Sequence, residues 1–481
     1  AVTYIVQRMT SLAVFFALLS MNAWLSGRNF WQNHEYAKAV LLWVFGTVFW
    51  ILGLLSKEHV AIVPILILIH ELFLFRKGDF SVNWRLAGLP VLLGAVLVYH
   101  YLGTSPWLYI TSAYEHRDYT LAERLMTQSR VLWHYLSLFF FPVAERFVFL
   151  YDYPISRGLF RPVATIVSIL SWLGMFGIAW HVRKRWPVFT WMLLCFITAH
   201  LIESSVIPLE MVYEHRMYFP SLFLTFGTTL IVADFFSQNT VKPKIRFGIL
   251  MMILLILGFA TYTRNLDFKD AETVYRSDLE KFPENLRVRQ NLALTLFTYG
   301  DSTEGGMRLK QLASEYPYNI PIQINWHLYL DIYGNSICKT DNTESVYQRI
   351  RQAVIKGEYN KVNDSVGLKN MAKRFMDSGD YEKTLFLLDR LLLDFSHYDS
   401  IWFLKGRCHA RAEEWQNAVS AFRQAWKINP EDPPILYWLG KSLIQNNEHD
   451  EGCRLLKTVS RNQFNQEAAV MSQELIKEEC P

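Results

Sequence analysis

Cysteine is scarce in this 481-residue chain: Cys195, Cys338, Cys408, Cys453 and Cys480 are odd in number and include no close CxxC pair. That spacing excludes the paired thiolates of zinc ribbons and redox motifs, and small apolar packing is the role expected of them. Charge of one sign is also lacking. Lys and Arg number 48 against 44 Asp and Glu, a net charge of +4 scattered along the chain. A nucleic-acid binder gathers its basic residues into a stripe, so nucleic acid is excluded as a partner and charge reports topology instead. The opening AVTYIVQRMTSLAVFFALLSMNAWLSGR has no basic n-region leading into a short apolar core and cleavage site, so it is not a signal peptide. Ala1 is not an initiator methionine, and further residues are expected upstream. Long apolar runs disappear after Tyr262. Crossing hydrocarbon takes about 20 helical residues, so the two halves of the chain belong to two solvents.

Before Tyr262 such runs crowd together. Eight segments read as membrane-crossing helices: 5–27, 39–55, 59–75, 86–103, 162–181, 187–203, 217–236 and 246–262. A further candidate, RVLWHYLSLFFFPV at 130–143, carries Arg130 and His134. Its length, about 14 residues, favours an interfacial or re-entrant helix. Short loops rich in Lys and Arg stay in the cytoplasm. The basic loops are Arg28 to Lys38, the turn with Arg76, Lys77 and Arg85, the cluster Arg183 to Arg185, and the stretch with Lys242, Lys244 and Arg246. With eight spans all four lie inside, whereas a ninth crossing would expel the last two. The outer face then holds the loop 104–161, the loop 204–216 and everything after Tyr262. No paired glycine or proline breaks split the spans into matching halves, as an inverted-repeat carrier requires.

The polar half repeats with a period of 34: Tyr381, Trp415 and His449; Thr384, Ala418 and Gly452; Ala372, Gly406 and Gly440. Small residues at these positions let two helices of a hairpin approach closely. WQNAVSAFRQAWKINPEDPPILYWLGKSL is a tetratricopeptide-type unit, and 320–363 is a degenerate or extended one. Arrays of this kind bind peptides or extended protein segments, or only stiffen a protein.

Ionisable residues at membrane depth are costly and are usually functional or paired. Lys57, Glu58 and His59 sit at an outer hairpin, where an ion pair capping a helix is the plain alternative. Arg124, Gln128, Arg130 and His134 mark an amphipathic helix along the outer surface, either a lipid head-group site or a simple anchor. IESSVIPLEMVYEHRMYFPS gathers Glu203, Glu210, Tyr213, Glu214, His215, Arg216 and Tyr218 at one membrane entrance.

The stretches VTYIVQRMTSLA, LLSKEHVAIVPILILIHE, ERLMTQSRVLWHYL, LYDYPIS, VYEHRMYFPS and TRNLDFKDAETVYRSDLEKFPENLRVRQNLA, in this order, resemble bacterial relatives of the TMTC proteins. Those are transmembrane and tetratricopeptide-repeat O-mannosyltransferases of the GT-C superfamily. The resemblance implies an all-α fold: a polytopic GT-C-like transmembrane bundle over 1–262, then a tetratricopeptide-repeat α-solenoid over 263–481 outside the cytoplasm of a bacterial inner membrane. It also implies a polyprenyl-phosphate-linked sugar as donor and a protein hydroxyl as acceptor; no metal site is read from the residues. Arg216, with His215, Arg130 and Lys57, would hold the lipid phosphate as it leaves. Glu58, Glu210 and Tyr218 would support the cavity, and Glu214 would orient Arg216 or touch the sugar. The family's catalytic acid, a general base in the first outer loop, has no counterpart here, which leaves Glu214, Asp152, Asp118 and Glu115 as candidates. The alternative is a non-catalytic, membrane-anchored repeat scaffold whose array holds a protein partner.

Overall fold

The computed structural model describes residues 8–75, 114, 117, 119–238, 242–334, 341–461 and 465–480. The span expected at 86–103, the basic turn Arg76 to Arg85, Cys338 and the candidates Glu115 and Asp118 lie outside them. No β-strand occurs among the described residues. The chain divides into two compact units, Ala1–Leu292 and Ala293–Pro481.

The first unit follows from its apolar runs. It contains α1 (Arg8–Gln32), α2 (Tyr36–Ser56) and a 3-10 turn, Glu58–Ile62, that runs into α3 (Val63–His70). These are followed by α4 (Leu121–Phe140), α5 (Ala164–Val182), α6 (Pro187–Ala199), α7 (Tyr218–Gln238), α8 (Pro243–Asp267) and α9 (Ala271–Lys281). Six helical stretches among the described residues are long and apolar enough to cross a membrane by length and composition: Arg8–Gln32, Tyr36–Ser56, Glu58–Phe75, Ala164–Val182, Glu214–Ser237 and Pro243–Asp267. Helices α1 and α2 pack tightly at Gly46, where a Cβ would come within 2.6 Å of the Trp24 ring. Trp24 in turn stacks on Trp43 at 5.5 Å. The core gathers Leu66, Tyr135, Trp172, Trp191, Phe196 and Phe219 from five different helices. In contrast, no residue of α8 is buried.

Two expectations give way to the structure. Helix α6 stops at Ala199 after 13 residues, whereas a span to 203 was expected. Beyond it Glu203, Ser204 and Ser205 leave helical geometry, and Glu203 meets Lys57 while the Ser205 carbonyl meets Arg124. The helix expected at 130–143 instead begins at Leu121 and has 20 residues. Its start is fixed by a capping box in which the Thr120 hydroxyl accepts from Glu123 N–H and the Glu123 carboxylate accepts from Thr120 N–H. Arg124 and Gln128, expected on an outward polar face, are buried inside the unit.

In the second unit, which takes in the end of α10 (Leu286–Tyr299), the helices form hairpins. They are α11 (Ser302–Glu315), α12 (Ile320–Tyr333), α13 (Thr343–Lys356), α14 (Lys361–Asp377), α15 (Tyr381–Phe395), α16 (Asp399–Arg411), α17 (Trp415–Ile428), α18 (Pro433–Gln445), α19 (His449–Val459) and α20 (Gln466–Glu479). The 34-residue period has a plain structural meaning: Tyr381, Trp415 and His449 each open the second helix of a hairpin. Within the last hairpin a Cβ on Gly452 would lie 2.7 Å from the Gly440 carbonyl oxygen, so this crossing admits nothing larger than glycine. The segment expected to be degenerate supplies a helical pair, α12 and α13, and residues 335–340 between them lie outside the described residues. Cysteine behaves less simply than expected. Cys195 and Cys408 are buried thiols, but Cys453 and Cys480 form a disulfide that ties α19 to the end of α20.

Candidate functional site

The loop 200–216 has no regular hydrogen-bond ladder of its own, and its buried carbonyls must be satisfied from elsewhere. Helix α4 does this. Arg124, fully buried, donates to the carbonyls of Glu203 and Ser205 at 2.9 Å each, and to that of Leu209. Gln128 donates to the Met211 carbonyl at 2.9 Å, and Tyr135 exchanges hydrogen bonds with the backbone of Tyr213 at 3.0 and 3.1 Å.

Around the loop so held, a buried charged nest assembles. Lys57 Nζ donates to Glu203 at 2.9 Å and to the Thr10 hydroxyl at 3.1 Å. Arg216 is 5% exposed and donates to the Glu210 carbonyl at 2.6 Å, with its guanidinium 5.3 Å from the Tyr213 ring centroid. His215 stacks on Tyr213 at 5.0 Å and lies within electrostatic reach of Lys57, Glu203 and Arg216. His59 and His200 are buried with neither ring nitrogen partnered among the described residues, and His200 lies flat on Tyr135 at 5.1 Å. Among the described residues the nest therefore holds three cations, Lys57, Arg124 and Arg216, against the Glu203 carboxylate.

The other expected residues fall elsewhere. Glu214 turns away from the nest: it accepts from the Val148 N–H and from the Tyr151 hydroxyl at 3.1 Å, with Arg264 at 3.8 Å. Arg130 donates to the Pro154 carbonyl at 2.9 Å and the Ser156 hydroxyl at 3.2 Å. Glu58 is exposed and has no ion-pair partner among the described residues. Tyr218 opens α7 and packs at the edge of the core. Glu210 pairs with Arg117 at 3.3 Å and Arg287 at 3.5 Å. Asp152 is exposed, with no ion-pair partner among the described residues, in a cleft of about 300 Å³ that is also lined by Tyr151, Tyr153, Glu210, Tyr213 and Arg287. No group of three or more His, Cys, Asp or Glu able to hold a metal occurs among the described residues.

Sequence reasoning missed Asp278. Fully buried on α9, its carboxylate accepts the N–H groups of Phe149 and Leu150 at 2.9 to 3.1 Å. Lys281 and Asn285 donate to the carbonyls of Phe147 and Leu150. Burial pushes the Asp278 carboxyl up, with the two N–H donors opposing. Burial, then the neighbouring Glu214 carboxylate, pushes the Tyr151 phenol up. Segment 147–151 is thereby gripped from two sides, and α9 joins the first unit. The sequence boundary expected at 262 follows the end of the apolar runs, while contacts divide after Leu292. Asp278 sits among other charged residues in YRSDLEKFPE, and nothing in that stretch distinguishes it.

The family model of the anaphase-promoting complex, cyclosome, subunit 3 matches residues 377–459. No curated protein matches the chain. Among solved structures, MamA (residues 41 to the end) from Desulfovibrio magneticus RS-1 is 15% identical, with 38% of this chain and 96% of that one covered and a TM-score of 0.29. The yeast Sti1 TPR2AB domain in complex with pHSP90 is 10% identical, covering 44% and 93%, at 0.23. Yeast Tom70 is 12% identical, covering 96% and 95%, at 0.23. The scores are low, and the fold rests on the chain's own helices. Those helices and the matched repeat family establish an all-α fold with helical repeats of the tetratricopeptide type, a kind of repeat that commonly serves protein–protein interaction. Nothing in these likenesses points to a glycosyltransferase.

Proposed function

We propose that the protein is a membrane-anchored repeat scaffold that holds a protein partner outside the cytoplasm of a bacterial inner membrane. The repeat array carries this reading, since stacked helical hairpins present extended binding surfaces. The anchor is supported by the six long apolar helices, among them α8, which has no buried residue and is apolar on every side, as a lipid-facing helix is. An outer location for the array is supported twice. The basic loops fall inside under an eight-span count, and a disulfide such as Cys453–Cys480 persists in oxidising compartments. A reporter active only in the cytoplasm, fused after Arg264, is expected to be silent, and a periplasm-active one is expected to work. The reverse pattern would remove the outer location.

A second reading, sugar transfer from a polyprenyl-phosphate donor, draws on the cation excess around Glu203. The 13 residues of α6 rise only about 20 Å, roughly 10 Å short of the hydrocarbon thickness. That shortfall supports a nest at the depth of an outer-leaflet lipid phosphate. Against it, Arg216 is engaged by the Glu210 and Met211 carbonyls of its own loop, the bonding of a structural anchor. Under the scaffold reading Arg216→Ala lowers the yield of inserted protein, and no donor supports transfer in the wild type. Under the enzymatic reading the variant inserts normally and loses about a hundredfold or more in transfer, the scale of one preorganised donor. Assaying a polyprenyl-phosphate sugar with envelope protein as acceptor, alongside inserted yield, separates them.

A further inference from the structure

The 34-residue period that places small residues inside the hairpins also places a cation on three successive first helices: Lys373 on α14, Arg407 on α16 and Lys441 on α18. These first helices pack side by side within the second unit. Arg407 and Lys441 flank one ring, each 5.4 Å from the centroid of Trp438. Lys373 is exposed and has no carboxylate partner among the described residues, and neither has Lys441. Arg407 Nε is buried with no hydrogen-bond partner among the described residues.

The neighbouring cations are treated differently. Arg374 pairs with Asp331 at 2.5 Å, Lys405 with Asp389 at 2.7 Å and Arg411 with Asp377 at 2.7 Å. The Asp377 carboxylate, which also reaches Arg407 electrostatically, is thus already engaged by Arg411. Burial, with Arg411 alongside, lowers the Arg407 pKa, the direction expected of a guanidinium short of counter-charge. The array pairs the cations beside the column and leaves the column itself uncompensated.

We propose that Lys373, Arg407 and Lys441 form a docking strip for an extended acidic segment of a partner protein. Adjacent packed helices lie about 8–10 Å apart. A chain in the polyproline II conformation rises about 3.1 Å per residue with three residues per turn, so carboxylates three residues apart share one face at about the helix spacing, and a run of about seven residues spans the column. The planar Arg407 guanidinium offers paired donors to a carboxylate, and Trp438 holds the column's lower two cations from the side. This deepens the scaffold reading and rests on it.

The test measures fluorescence anisotropy of a fluorescein-labelled octaglutamate peptide with the full chain in zwitterionic detergent. Binding is expected and should weaken with salt. Each single change, Lys373→Gln, Arg407→Gln or Lys441→Gln, should cost about fivefold, and the triple variant about a hundredfold, on the scale of roughly 1 kcal/mol per exposed charge contact. Unchanged thermal unfolding of the triple variant keeps the loss attributable to charge. Octaglutamate that does not bind, or binds wild type and triple variant alike, would overturn the strip. So would an octathymidylate or phosphatidylglycerol vesicles that bind as tightly and respond as strongly to the triple change. In-cell photocrosslinking separates this from the scaffold reading. If the triple variant keeps the wild-type crosslinked partners, the strip fails and the scaffold stands; if wild type gives none, the scaffold itself fails.

Discussion

Arg124→Ala is expected to abolish recovery of folded protein. Arg124 is fully buried, and its guanidinium serves the carbonyls of Glu203, Ser205 and Leu209. Removing it leaves buried acceptors, each worth about 1–3 kcal/mol when unsatisfied, together with a cavity. A loss on the order of 3–5 kcal/mol follows, against a total stability of about 5–15 kcal/mol for an ordinary protein. Arg124→Lys should recover only part of the loss, because one ammonium on a flexible stem lacks the fork that reaches three carbonyls at once. Arg124→Met should behave like alanine, since it restores volume without donors. Size-exclusion profiles of detergent-extracted protein, with limited trypsin digestion of loop 200–216, measure the effect. A monodisperse Arg124→Ala protein with unchanged melting would show that α4 does not hold the loop.

The same contacts explain what was legible in the sequence. Helices from uninterrupted apolar runs were legible, because hydropathy and helix length are local properties. The hairpins were legible because period 34 repeats the same close contact, as the Gly440–Gly452 crossing shows. The role of α4 was not. Its polar stripe looked like a water-facing surface, and only the position of loop 200–216 turns Arg124 and Gln128 into internal donors. The Lys57–Glu203 pair joins residues 146 apart, a partnership no spacing rule announces. The resemblance assigns Arg216 to a lipid phosphate, but carbonyls six and five residues earlier engage it. The grouping of Lys57 with His215 and Arg216 came only from the family resemblance, and Glu214 and Arg130 belong instead to the grip on segment 146–156. The disulfide was invisible because five cysteines without close spacing name no pair.

That disulfide yields the second large effect. Cys453 and Cys480 are 27 residues apart, and cross-linking a loop of that length removes unfolded-state entropy worth about 3–4 kcal/mol in the chain-entropy account. In a repeat array stability is local, so the loss on Cys453→Ser with Cys480→Ser should appear in α19 and α20. There Leu456 and Val459 pack on Ala468, Leu475 and Ile476. The expected result is rapid protease cleavage near 461–465 in the double variant, with the hairpins before α18 still protected. Thiol counting tests the bond directly, using Cys338→Ser to remove the cysteine outside the described residues. Under denaturing conditions a maleimide-polymer should add to two cysteines before reduction, Cys195 and Cys408, and to four after it, once Cys453 and Cys480 are freed. Four adducts without reduction would mean that the pair is a dithiol in the cell. The outer location of the array would then rest on the basic loops alone. Two adducts before reduction, in protein drawn from the intact envelope, would place the end of the array in an oxidising compartment, where a partner carrying an acidic segment would also have to be exported to meet it.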